Sequence, residues 1–144
     1  MKRYTFRLAG VARIRAIEEK ASKDKLMIAL RELRAAEQMQ RSAEAALAEM
    51  QAPTGLVTMA EFLWSFDQAS RLSDAIRHCR EAVDEAASVF AERRQAWSDA
   101  SKKSQVLEKL EAQALLKWRD EELHEEVMEM DDMSNARHVL GVLP

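Results

Sequence analysis

In the latter two thirds of the chain, apolar and small residues return every three and four positions. Stepping by sevens from Phe62 meets Ala69, Ile76, Val83, Phe90, Trp97, Ser104, Glu111 and Trp118. Three places further on in each repeat stand Ser65, Leu72, Cys79, Ala86, Arg93, Ala100, Leu107 and Ala114. Alternating steps of three and four keep one helical face turned toward a partner and wind the pair left-handed. Alanine stands at many places where a strong zipper carries leucine, so the partner helix can approach closely. Arg93, Ser104 and Glu111 interrupt the seam and predict local looseness. The earlier part of the chain repeats the spacing with Leu33, Ala36, Gln40, Ala43, Leu47 and Met50. Upstream, Ile14, Ile17, Ala21 and Ile28 form a stripe out of step with that one, which predicts a phase shift near residues 26–30.

The breakers divide the pattern in two. Neither glycine nor proline occurs from Val11 to Ala52 or from Leu56 to Leu140. Inside a helix proline costs ~3 kcal/mol and glycine ~1 kcal/mol relative to alanine, so both tracts read as long helices. Between them Gln51-Ala52-Pro53-Thr54-Gly55 is a turn signal. The predicted fold is all-α, an elongated antiparallel two-helix coiled coil, or helical hairpin, forming a single domain over 1–144. Helix one is expected over about 5–51, the turn over 52–57, a long helix over about 68–136 and a tail over 137–144.

Rods of ~45 and ~70 residues would be ~68 and ~105 Å long at 1.5 Å per residue, so they cannot match. Thr58 and Glu61 form a capping-box signature ahead of Phe62, which starts a helix there. That segment, 58–66, either runs straight into the long helix or folds back as a short helix near the tip. The second layout needs a break among Ser65, Asp67, Ser70 and Ser73, whose side chains compete for backbone hydrogen bonds. It shortens the overhang and is the preferred one.

Composition narrows the function. Charged residues make up 33% of the chain and aromatics 6%, the mixture of a long helix or coiled coil. A net charge of −3 and a pI near 5.7 disfavour nucleic-acid binding. The single Cys79 excludes an intrachain disulfide and suits a reducing compartment. With no membrane-spanning run and no signal peptide, a cytoplasmic protein is expected.

Charge is also unevenly placed. The start is basic (Lys2, Arg3, Arg7, Arg13, Arg15, Lys20, Lys23, Lys25), and acids crowd 118–137 (Asp120, Glu121, Glu122, Glu125, Glu126, Glu129, Asp131, Asp132). Both blocks oppose the helix dipole. Antiparallel pairing brings them toward one end, where they offset each other; two separately solvated faces are the alternative.

Catalytic chemistry is thin. Glu121 and His124 have the Glu-x-x-His spacing of di-iron bundles, but such a site needs further helices. His124 then reads as solvated, and Cys79 as a seam thiol rather than a nucleophile. No phosphate loop or nucleophile elbow occurs. No enzyme activity, metal or other cofactor is expected. Trp97 and Trp118 fall on the seam and Trp64 does not. Trp118, with Leu107, Leu110, Leu115 and Leu116, sits where helix one runs out and predicts an apolar interaction surface, which Met128, Met130 and Met133 extend.

The opening Lys2-Arg3-Tyr4-Thr5-Phe6-Arg7-Leu8 with Val11 and Arg13 resembles the flagellar export protein FliJ family. So do Arg93, Trp97, Lys102-Lys103, Val106-Leu107-Glu108-Lys109-Leu110, Trp118, Glu122 and Glu129-Met130-Asp131-Asp132. The resemblance covers nearly the whole chain. It implies a cytoplasmic component of the flagellar type III export apparatus, peripheral at the inner membrane through its partners. The family fold is similar to the central stalk of rotary ATP synthases. The implied role is to insert into and stimulate a hexameric export ATPase, contact the export gate FlhA and escort export chaperones.

The ATPase-facing end is then expected to use Phe6, Leu8, Val11, Leu107, Leu110 and Trp118, with Glu121, Glu122 and Glu125. The gate-facing stripe maps near Phe66, Leu72, Ala75, His78 and Cys79. The family pattern fits only at Leu72 and Ala75; Gln68 and Cys79 fall at its outer places. Two rival readings remain: a coiled-coil scaffold pairing between chains, and a secretion chaperone of a related needle-type system.

Overall fold

A computed structural model describes residues 3–141, so Lys2 and the last three residues of the expected tail lie outside the described part. It is an all-helical hairpin of α1 (Ala9–Glu49) and α2 (Met59–Gly141), with no strand among the described residues. The turn is exposed from Gln51 to Thr58, and Gly55 takes the left-handed φ of 85° that side chains resist. The capping box closes at the start of α2. The Thr58 amide donates to Glu61 Oε2 at 3.0 Å, and the Glu61 amide donates to Thr58 Oγ1 at 3.2 Å. Two of the orphan donors of the first turn are thereby satisfied.

Three expectations about element limits are corrected. First, α2 is one helix of 83 residues and does not break at Ser65–Ser73. Local carboxylates that could compete for the backbone are tied along the helix instead. Asp67 meets Arg71 at 3.0 Å and Asp74 meets Arg77 at 3.2 Å, spacings that support a helix. Second, α2 runs beyond 136 and takes in Gly141. Third, residues 5–8 are not helical. Arg3 and Arg7 are poor company for the positive end of a helix dipole, and the segment packs its aromatics on α2 instead.

The chain falls into two compact units, one spanning Glu19–Ala100 and the other joining the residues up to Glu18 with those from Ser101 onward. In the Glu19–Ala100 unit the helices run antiparallel. Met50 shares a cleft with Leu72, Glu44 pairs with Arg80 at 3.5 Å, and Ala29 lies in a small cleft with Val89 and Arg93. On α2, Ser65, Ala69, Leu72, Ile76, Cys79, Val83, Ala86, Phe90, Trp97 and Ala100 are buried or half-buried, while Phe62 and Arg93 are exposed.

On α1 and just after it, Glu19, Ser22, Leu26, Ala29, Leu33, Ala36, Gln40, Ala43, Leu47 and Met50 form a covered row, flanked by half-buried Leu30, Glu37 and Glu44. That sequence alternates steps of four and three without interruption. The expected phase shift near 26–30 is therefore absent. Ala21 and Ile28 are exposed, because the small Ser22 and Ala29 take the seam and let the backbones close. Ala29 and Ile76 are the most covered side chains here, at 3% and 6% exposure.

In the other unit the seam includes Ala12 and Arg15 on α1 and Ser101, Ser104, Leu107, Ala114 and Trp118 on α2. Ser104 is buried, so the interruption seen in sequence works as a close-approach position. Ile14 and Ile17 remain exposed.

Two substitutions test this register. Ala29→Leu should lower stability by about 1–3 kcal/mol through overpacking. Ile28→Ser, one residue away, should change it by about 0.5 kcal/mol or less. Urea denaturation followed by circular dichroism reads both, and the opposite order would restore the shifted register.

Glu44 supplies a pH test. Its carboxylate accepts from Gln40 Nε2 at 3.0 Å, and Arg80 stands at 3.5 Å across the seam. The Gln40 hydrogen bond first, and then Arg80, hold its pKa below the ordinary 4.5 despite partial desolvation. A pKa depressed by folding gives stability that is present above the unfolded value and lost as pH falls through the folded one. Glu44→Gln should flatten the acid limb of a thermal-melt pH series below pH ~4.5.

Candidate partner-binding surfaces

The stretch before α1 builds the first surface. Tyr4 packs its ring on Trp118 with centroids 5.6 Å apart and planes tilted by 53°. Its hydroxyl donates to the Glu111 carbonyl at 3.3 Å. The Ala9 amide donates to the Phe6 carbonyl at 3.2 Å, turning the chain into α1. Between this segment and α2 opens a cavity of about 780 Å³, lined by Phe6, Leu8, Leu110 and Trp118 and carrying Arg3, Arg7 and Lys117. An apolar floor with a basic rim suits a segment that pairs hydrophobic side chains with acids.

The residues expected at this end are placed unevenly. Phe6, Leu8, Leu110 and Trp118 line the cavity. Leu107 is turned into the seam, and Val11 is exposed without lining the cavity. Glu121, Glu122 and Glu125 follow Trp118 along α2 outside the lining, and only Glu122 is half-buried. Past Trp118, Glu121 and Glu125 continue the three-four spacing, so the seam phase turns acidic there. Trp118 is not left without an internal partner, since Tyr4 covers it. Sequence reasoning missed Tyr4 as a member; a lone tyrosine in a charged, non-repeating opening was the available signal.

This unit also keeps apolar side chains outside its seam. On α1, Ile14 and Ile17 are 57% and 62% exposed. Ile14 stands two residues past the seam position Ala12, about 200° round the helix. On α2, Val106 and Leu116 follow the same rule relative to the seam positions Ser104 and Ala114, and past Trp118, where only Glu122 is half-buried, Leu123, Val127 and Met130 are also more than half exposed. Each helix therefore carries apolar side chains opposite its seam, and the end of α2 carries more where no seam covers it.

The residues mapped to the gate do not share a face. Leu72 and Cys79 are half-buried in the seam, whereas Phe66, Ala75 and His78 are exposed. His78 Nδ1 lies 3.7 Å from Glu81. From Phe66 to Ala75 the helix turns through about 180°, so those two point apart.

These features define a helical-hairpin coiled-coil protein with much apolar surface left outside its own seam. The sequence model of the Flagellar FliJ protein matches residues 4–140, nearly the full chain. The chain belongs to the FliJ family and is a flagellar-export-related protein. No curated protein and no solved structure matches it. No described helix is long and apolar enough to cross a membrane.

Trp118→Ala should release the opening segment. Trypsin cleavage at Arg7 should then accelerate about tenfold or more with helix content unchanged, since local opening governs proteolysis there. Unchanged cleavage would mean that Tyr4 and Trp118 do not hold the segment.

Proposed function

We propose that this protein is the stalk of a flagellar export ATPase, entering the hexameric ring with the end that carries Tyr4 and Trp118 and stimulating its turnover. The observation that supports the reading most is the exposed apolar surface on both helices of this unit, Ile14 and Ile17 on α1 and Leu116, Leu123, Val127 and Met130 on α2. Apolar surface on one face asks for one partner alongside. Apolar surface exposed on both helices asks for a partner that surrounds the end, because each large apolar side chain removed from water contributes about 1.5–3 kcal/mol.

A two-helix insert cannot meet six identical subunits in the same way. It biases them toward unequal states through differential contact, the only means by which a bound partner shifts such an equilibrium. The work is done by binding; the stalk supplies no chemistry. The acids from Glu121 to Glu125 meet the ring beside the apolar stripes and set the approach of the end electrostatically. Contact with the export gate FlhA uses the exposed Ala75 and His78, about 60° apart round the helix, with Leu72 and Cys79 half-buried beside them, and Phe66 stands apart on the far side from Ala75. Escort of unladen export chaperones completes the role, at the cytoplasmic face of the inner membrane and through partners alone.

Steady-state turnover of the cognate ATPase with and without the protein tests this. Ile14→Asp combined with Leu123→Asp should abolish most of the stimulation while helix content stays the same. Lysine at Glu121, Glu122 and Glu125 together should weaken it about fivefold or more. Full stimulation by both variants would exclude this end as the contact.

A further inference from the structure

A second three-four row runs along the far part of α2. Val106, Leu116, Leu123, Val127 and Met130 belong to it, and Lys102, Lys109, Gln113 and Asp120 fill the places between. Every member is exposed, the five apolar ones by more than half. The seam that α1 covers passes instead through Ser104, Leu107, Ala114 and Trp118. Leu116 stands two residues past Ala114, about 200° round the helix, so α1 leaves the second row open. A spacing of this kind, kept for about four heptads, is one that a partner helix can follow.

The row is electrically polar along its length. From Ser101 to Trp118, α2 holds Lys102, Lys103, Lys109 and Lys117 against Glu108 and Glu111. From Asp120 to Asp132 it holds eight acids and neither lysine nor arginine. A fitting helix must be acidic where the row is basic and basic where it is acidic. The row itself has that order when turned end for end, as it is in a second copy related by a two-fold axis. The register that sets Lys109 opposite Asp120 also sets Val106 opposite Leu123, and Lys103 beside Glu126. Each of these pairs then occurs twice. Parallel pairing would instead set lysines on lysines and acids on acids. An anionic lipid surface would be repelled by the acidic half.

We propose that two copies of this chain pair antiparallel along this row, about a two-fold axis near Ala114, and that the pair is a closed form of the end that enters the ATPase. Leu116, Leu123 and Val127 are covered in the pair, so the ring and the second copy compete for them. Dissociation then precedes entry. The pairing stands by itself; its role as a closed form rests on the stalk reading above.

Sedimentation equilibrium of the full chain tests the pairing. The protein should be a reversible dimer at low salt and dissociate more readily at high salt. Lys109→Glu and Asp120→Lys each set like charges opposite one another at both ends of the contact. Each should weaken pairing about tenfold or more. An equimolar mixture of the two variants should pair about as tightly as the unaltered chain, because each copy supplies the charge the other lacks. Leu116→Ser with Leu123→Ser should give a monomer of unchanged helix content, since both side chains are exposed. To test the closed form, Gln113→Cys in a Cys79→Ser background is joined by a short bismaleimide. The joined pair should lose stimulation of the ATPase that the same protein shows before joining.

A chain that stays monomeric at every attainable concentration would overturn the pairing. A mixture that fails to restore it would overturn the two-fold register. A joined pair that still stimulates would overturn the closed form. Absence of stimulation before as well as after joining would sink the stalk reading and the closed form with it, and would leave the pairing in place.

Discussion

Two helices sharing one seam have no third layer, and that constraint governs everything else in this molecule. Side chains in the seam are covered from one side only. Even so, Ala29, Ile76 and Ser104 are nearly free of water. Two of the three are small, and smallness is what permits it. Alanine and serine let the backbones come together until the neighbouring stems cover them, whereas leucine at the same places would hold the helices apart. The seam charges something for its closeness. Trp97 is half-buried, and its indole N–H has no hydrogen-bond partner, a defect that costs about 1–3 kcal/mol in a site shut off from water.

The same constraint makes the outer faces informative. In a protein with a deep core, a stray isoleucine on a helix's far side can find shelter under another element. Here Ile14, Ile17, Leu123 and Val127 have no such element within the unit that carries them. Large apolar side chains that persist there speak of contacts made outside the chain, as do Leu56 and Trp64 at the turn. The seam needs little leucine, and the partners receive what it leaves.

Much of the hairpin was legible from spacing. The heptad on α2 named most of its covered positions, with Phe62, Arg93 and Glu111 exposed against it and Gln68, Val89 and Leu115 covered outside it, because little competes with a three-four repeat running uninterrupted by proline. Leu33 to Met50 on α1 followed for the same reason. The reading failed where hydrophobicity and burial part company. Ile14, Ile17, Ala21 and Ile28 looked like a displaced seam, yet Arg15, Glu19, Ser22 and Leu26 are the residues the partner helix covers. Long polar side chains lay their apolar stems along a seam and keep their heads wet, so polarity does not disqualify them. Of the expected ATPase-facing set, Phe6, Leu8, Leu110 and Trp118 meet at one cavity, while Leu107 is drawn into the seam. The gate stripe mixes Leu72 and Cys79, half-buried in the seam, with exposed Phe66, Ala75 and His78, because a spacing does not show which of its members a partner helix covers.

The sequence by itself determined that the chain is two long helices with a turn at Pro53–Gly55, and it determined the register of the second helix. Those properties depend on local backbone preference and on a period, both of which are written in neighbouring residues. Only the tertiary structure decided that α2 is unbroken, that Tyr4 closes over Trp118, and that the isoleucines of α1 face outward. Each of those outcomes depends on which residue from far along the chain arrives opposite. Periodicity shows that a helix has a sticky stripe, and packing chooses which stripe is used.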